Sequence, residues 1–202
     1  MIIHNNKVFV HIPKTGGTSL QDALVVSCGI AKTPHDYINW KKHATVREII
    51  NKFGEPKEWI TILRNPYERM VSYYYFMLRI HKENLYGAGK SKEVMAAVKS
   101  KDFKDWLKKV MKNNELCQNY YYFLRREDGS VPKFKVILTS ELDKKWKSIV
   151  KWFGGNPNKY TWTRQVVTKH PPYESCYDDE SYEIVKNYYS FYFNQKFSSI
   201  TQ

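Results

Sequence analysis

Residues 8 to 19 constrain this chain more than any other stretch: Val8-Phe9-Val10-His11-Ile12-Pro13-Lys14-Thr15-Gly16-Gly17-Thr18-Ser19. The first residues are mostly apolar and read as a short buried strand. Pro, Lys, Thr, two glycines, Thr and Ser follow, and then Leu20, Ala23, Leu24 and Cys28 recur at helical spacing. The stretch predicts strand, tight loop and helix. Such a loop presents backbone N–H groups at a helix N-terminus, where the dipole adds partial positive charge and phosphate-like anions bind. Gly16 and Gly17 let the backbone approach a ligand without a Cβ in the way. Lys14 adds a full positive charge, and Thr15, Thr18 and Ser19 add hydroxyl donors.

The order of these residues matters. A Walker A loop runs Gly, four residues, then Gly-Lys-Ser/Thr. Here the Lys precedes the glycines, and no Gly stands where the first one should. The loop reads as a site for a phosphate-type group outside the usual ATPase or GTPase pattern. The plain alternative is a glycine turn that only joins strand to helix.

The chain has 202 residues, enough for one α/β domain with a sizeable core, and it is read as a single domain over residues 1–202. Lys and Arg number 33 against 20 Asp and Glu, for a net charge of +13. That balance points to an anionic partner without choosing between nucleic acid, acidic glycan, membrane surface and anionic cofactor. Cys28, Cys117 and Cys176 show no metal or disulfide spacing, which fits a reducing compartment. There is no apolar run of membrane-spanning length and no signal-peptide core. With Met1 close before the first strand, the expectation is a soluble, cytoplasmic protein with no transmembrane segment.

Beyond the loop, strands and helices alternate. Val46, Ile49, Ile50 and Phe53 mark a helix that stops at Gly54. Trp59 to Leu63 is a second buried strand. Asn65 caps a helix with Pro66 at its first position, running to about Lys82. Residues 91–125 are helical in pattern, with Phe103, Trp106, Leu107 and Val110 on one face and many lysines besides. Those lysines read as a solvated face or as a wall that attracts an anionic acceptor. Lys133 to Thr139 is a third strand, Glu141 to Phe153 a helix, residues 154–176 loop, and Asp178-Asp179-Glu180 opens a last helix. The alternation predicts an α/β fold with a central parallel sheet flanked by helices, and ligand loops at the carboxyl ends of its strands. Lys14 and Arg64 both fall at such ends.

The second motif is Leu63-Arg64-Asn65-Pro66-Tyr67-Glu68-Arg69-Met70-Val71-Ser72. Arg64 leaves the second strand, and Ser72 lies about two turns into the next helix. An Arg grips a phosphate in bidentate fashion, and a nearby hydroxyl completes the contact.

The Pro13-to-Ser19 loop resembles the 5′-phosphosulfate loop of sulfotransferases that use 3′-phosphoadenosine 5′-phosphosulfate (PAPS). It is most similar to the carbohydrate sulfotransferase branch, of the heparan sulfate 2-O and chondroitin type. Arg64 and Ser72 match that family's 3′-phosphate motif. The resemblance implies a P-loop-like domain and PAPS as co-substrate. It assigns cofactor contacts to Lys14, Thr15, Gly16, Gly17, Thr18, Ser19, Arg64 and Ser72. It also implies a hydroxyl-bearing acceptor, a carbohydrate and an anionic one by the branch, with neither metal nor nucleic acid required. His43 stands just before a helix and between the two motifs, and Lys42 to Glu48 resembles a His-containing segment of carbohydrate members. His43 is the expected general base and Lys14 the second catalytic residue. His35 and His11 are rivals for the base, His11 reading as structural. Two other readings stay open: a nucleotide kinase-like phosphoryl transferase, and a basic nucleic-acid-binding module.

Overall fold

The computed structural model describes residues 1–30, 41–113, 116–165 and 167–194. Two compact units emerge, one within Met1–Arg64 and Tyr121–Val166, the other within Asn65–Tyr120 and Val167–Gln195.

The first unit holds a four-stranded sheet in the order β1 (Ile2–His4), β2 (Lys7–Val10), β3 (Glu58–Leu63), β4 (Phe134–Leu138). Strands β2, β3 and β4 run parallel, with Val10 opposite Thr61 and Leu63 opposite Leu138. This α/β arrangement, a mostly parallel sheet flanked by helices, is the expected one. The antiparallel edge strand β1 is a correction to the sequence reading. Three residues are too few for a visible period, but its turn had a signal. Asn5 and Asn6 both take positive φ, 51° and 58°, as a two-residue hairpin turn of the primed type demands.

Helices α1 (Gly17–Ser27) and α7 (Leu142–Trp152) pack on the sheet through one cluster. Phe9, Ile60 and Ile62 of the sheet meet Leu20, Ala23 and Leu24 of α1 and Leu142, Trp146, Ile149 and Val150 of α7. Burying each such aliphatic side chain stabilises by roughly 1.5–3 kcal/mol. Helix α2 (Val46–Phe53) starts in a capping box: Thr45 accepts from the Glu48 N–H while the Glu48 carboxylate accepts from the Thr45 N–H.

The second unit is helical: α3 (Pro66–Glu83), α4 (Lys92–Val98), α5 (Phe103–Lys112), α8 (Asp179–Tyr188) and α9 (Ser190–Asn194). The short α6 (Tyr120–Leu124) straddles the boundary between the units. Asn65 caps α3 by accepting from the Tyr67 N–H at 2.9 Å. The single helical region expected over 91–125 is broken into three. Ser91 and Asp102 each accept a backbone N–H three residues on and so start α4 and α5 afresh, the local competition by which such residues cap helices rather than continue them. Arg69 is fully buried, its guanidinium donating to the Gln118 carbonyl and the Tyr189 hydroxyl. The lysine-rich face of α5 is tied to α8: Lys104 lies 2.7 Å from Asp178, and Lys108 2.8 Å from Glu180. Among the described residues no helix is long and apolar enough to cross a membrane.

Candidate active site

The parallel register of β2, β3 and β4 delivers three strand ends to one edge of the sheet. From β2 the chain runs through His11 to Gly16 into α1, from β3 into Arg64, and from β4 into Thr139. The loop after β2 is built from within. The Thr15 hydroxyl donates to the Ile12 carbonyl at 2.9 Å, closing the turn, and Thr15 is fully buried. Lys14 holds φ at 66°, a left-handed conformation uncommon for a residue with a side chain. Gly16 follows at φ 84° as the N-cap of α1. It offers no capping side chain, and the first turn of α1 carries no acidic residue. That helix start therefore keeps its N–H groups and dipole unopposed by a carboxylate of its own first turn.

Gly17 is required by its neighbour. A Cβ there would lie 2.2 Å from Cδ2 and 2.5 Å from Nε2 of His11. His11 itself is buried, stacks on Phe9 with ring centroids 5.6 Å apart, and brings Nδ1 to 3.2 Å from Gln21 Oε1. Burial, followed by the adjacent His43, holds the His11 pKa well below its ordinary value of 6.5. The ring is neutral at physiological pH, in keeping with the structural part expected of it.

His43 stands edge-on to His11, centroids 4.6 Å apart, on the segment that leads into α2. Its Nδ1 lies 2.8 Å from the His11 carbonyl oxygen. A carbonyl only accepts, so Nδ1 carries the proton, and in the neutral ring Nε2 carries the lone pair. This is the tautomer a base acting through Nε2 requires. His35, the rival histidine, lies outside the described residues.

The predicted cofactor residues do not all face outward. Gly16 is exposed, and Lys14 and Thr18 are half-buried. Ser19 is buried, and its Oγ accepts the Gln165 N–H at 2.8 Å. Thr15 commits its hydroxyl proton inside the loop, so the donor it has left for a ligand is its backbone N–H. Arg64 is half-buried directly after β3. Ser72 is buried in α3 of the second unit. Thr139, which the sequence analysis placed at the end of the third strand, donates its hydroxyl to two carbonyls, Thr15 at 2.8 Å and Leu63 at 3.2 Å. No local pattern signals a contact between residues so far apart in the chain. Among the described residues no group of three or more His, Cys, Asp or Glu is placed to hold a metal ion.

A mostly parallel α/β sheet whose first parallel strand leads through a Lys-Thr-Gly-Gly turn into a helix without a side-chain cap places the chain in the class of α/β folds with a strand–loop–helix of the kind at which anions bind. Within that class the assignment is specific: a model of the sulfotransferase family matches residues 3–151. The chain belongs to the sulfotransferase family. No curated protein and no solved structure matches it.

The neutral His11 sets a pH dependence. Its folded pKa is depressed, so between that value and 6.5 the unfolded chain binds the extra proton and stability rises with pH. The contribution is fully present above about pH 6.5 and is lost as pH falls below it. The melting temperature should therefore drop on acidification from pH 7 to pH 5, and His11→Phe should flatten that slope. An equal slope in both proteins would place the titrating group elsewhere.

Proposed function

We propose that this protein is a PAPS-dependent sulfotransferase that moves a sulfuryl group to an acceptor hydroxyl on a carbohydrate. Family membership supports sulfuryl transfer in general. The observation that carries the finer reading is the start of α1, uncapped at Gly16, without an acid in its first turn, and preceded by Lys14. That is the complement an anionic donor needs. PAPS would supply an activated sulfuryl group whose departure leaves adenosine 3′,5′-bisphosphate. Lys14 and the N–H groups of residues 15 to 19 would hold the 5′-phosphosulfate and stabilise charge developing on the bridging oxygen. Arg64 and Ser72 keep their motif-based assignment to the 3′-phosphate. His43 would take the acceptor proton at Nε2, while its Nδ1–H stays on the His11 carbonyl. The carbohydrate acceptor rests on the resemblance of the Pro13–Ser19 loop, and of the Lys42–Glu48 segment, to carbohydrate members.

The first test is ligand stabilisation. Adenosine 3′,5′-bisphosphate should raise the melting temperature, and ATP with Mg²⁺ should do so less or not at all. Stabilisation by ATP–Mg²⁺ alone would favour the kinase-like reading. Salt-sensitive binding of DNA or RNA with no response to either nucleotide would favour the nucleic-acid module.

Lys14→Ala should lower kcat by roughly a hundredfold or more while the chain stays folded, since it removes one preorganised donor from the transition state. Near-normal turnover in that variant would sink the assignment of the loop.

His43→Ala should lower kcat by roughly 10² to 10⁴ and leave the affinity for adenosine 3′,5′-bisphosphate nearly unchanged, because a base faces the acceptor. If His35→Ala loses turnover instead, the role belongs to His35.

A further inference from the structure

We propose that Thr139 is a positioning residue that locks the phosphate loop to the end of β3 and aims a loop N–H at the donor. The proposal rests on the reading of the loop as the donor site. It concerns residues of the first unit only.

Thr139 is the first residue after β4 and opens a 3-10 turn, Thr139–Glu141. Its single hydroxyl proton is shared between the Thr15 carbonyl at 2.8 Å and the Leu63 carbonyl at 3.2 Å. Each acceptor belongs to the peptide group that leads into a site residue, Thr15 into Gly16 and Leu63 into Arg64. Among the described residues no peptide bond is cis, and in a planar trans peptide the C=O and N–H point in opposite directions. Holding the Thr15 carbonyl toward Thr139 therefore turns the Gly16 N–H to the other side, at the start of α1. The methyl of the same side chain lies on the side of Gly16 where a Cβ would stand. Cγ2 of Thr139 would lie 3.6 Å from a Cβ built on Gly16, where φ is +84°. One side chain from the third parallel strand end thus sets the orientation of two peptide groups on the other two.

Threonine can do this in two ways, by its hydroxyl or by its methyl, and two substitutions separate them. Thr139→Val keeps the shape and removes the donor, leaving two carbonyls without it. Thr139→Ser keeps the donor and removes the methyl. Calorimetry on the full chain with adenosine 3′,5′-bisphosphate and with adenosine 5′-monophosphate reads both.

Thr139→Val should weaken the bisphosphate about tenfold, the worth of one or two such hydrogen bonds, and should also weaken the 5′-monophosphate. Thr139→Ser should stay within about threefold of the wild type for both, at the size of a context effect on one hydrogen bond. In the Val variant the loss should appear in KM for the donor and in kcat together, because the misaimed N–H serves both ground and transition states. A Val variant that binds both nucleotides like the wild type overturns the proposal, and so does a Ser variant that falls as far as Val. A wild-type chain that binds neither nucleotide overturns the donor-site reading itself, and the role of Thr139 with it. Should the Val chain fail to fold, Thr139→Ala carries the same comparison against Ser.

Discussion

The imidazole of His11 fills the space in which a side chain at residue 17 would stand, and the site is arranged around that contact. It forces glycine at the first position of α1 and lets the helix start close against the extension of β2. The ring is buried, and a buried imidazolium would be costly, so the group stays neutral with Gln21 as its hydrogen-bond partner. The carbonyl of the same residue receives the Nδ1 proton of His43. A single residue thus ties together the end of a strand, the start of a helix and the segment before α2. Each of these elements contributes one part of the proposed chemistry: strand placement, anion-binding N–H groups, and a base of fixed tautomer.

Local signals in the sequence were strong where one segment decides its own structure. The strand–loop–helix reading of residues 8 to 28, the Asn65 cap with Pro66 behind it, and the buried face of Phe103, Trp106, Leu107 and Val110 all stand in the structure. What could not be read is what depends on register across the sheet. The hydrogen bond from His43 to His11 spans 32 residues, and those from Thr139 span 124 and 76. Such contacts exist only once β2, β3 and β4 align, and no periodicity announces them. Hydroxyl direction is equally hidden. Thr15 and Ser19 both bring hydroxyls to this stretch, yet one donates back to Ile12 and the other accepts from Gln165. The pattern of residue types specifies donors without saying which way they point.

Net charge was the least specific of the sequence signals, and its placement explains why. On α5 the amines of Lys104, Lys108 and Lys109 each lie within 2.8 Å of a carboxylate, on Asp178, Glu180 and Asp105. Exposed pairs of this kind contribute little to stability, but they reduce the field that face sends into solvent. The same lysines counted as an excess in the composition are locally offset in the fold. The start of α1 lacks such an offset within its own first turn. A fixed dipole at a sheet edge directs an anion better than a number of flexible lysines, because its N–H groups are already oriented before the ligand arrives.

The residue order in the loop now has a physical content. In a Walker A loop the lysine and the hydroxyl that serves the metal both follow the last glycine, on the helix itself. Here Gly17 is followed by Thr18 and Ser19, and the Ser19 oxygen already takes one N–H from Gln165. The cation sits earlier, at Lys14, on a turn in left-handed backbone. The helix start therefore supplies N–H groups and a hydroxyl, and its charge comes from one side chain placed before the glycines. A transferred sulfuryl group carries one negative charge fewer than a terminal phosphoryl group. A Walker A loop also carries a single lysine at its helix start, so the order of the seven residues sets this loop apart from that pattern, while sulfuryl rather than phosphoryl transfer follows from membership of the sulfotransferase family.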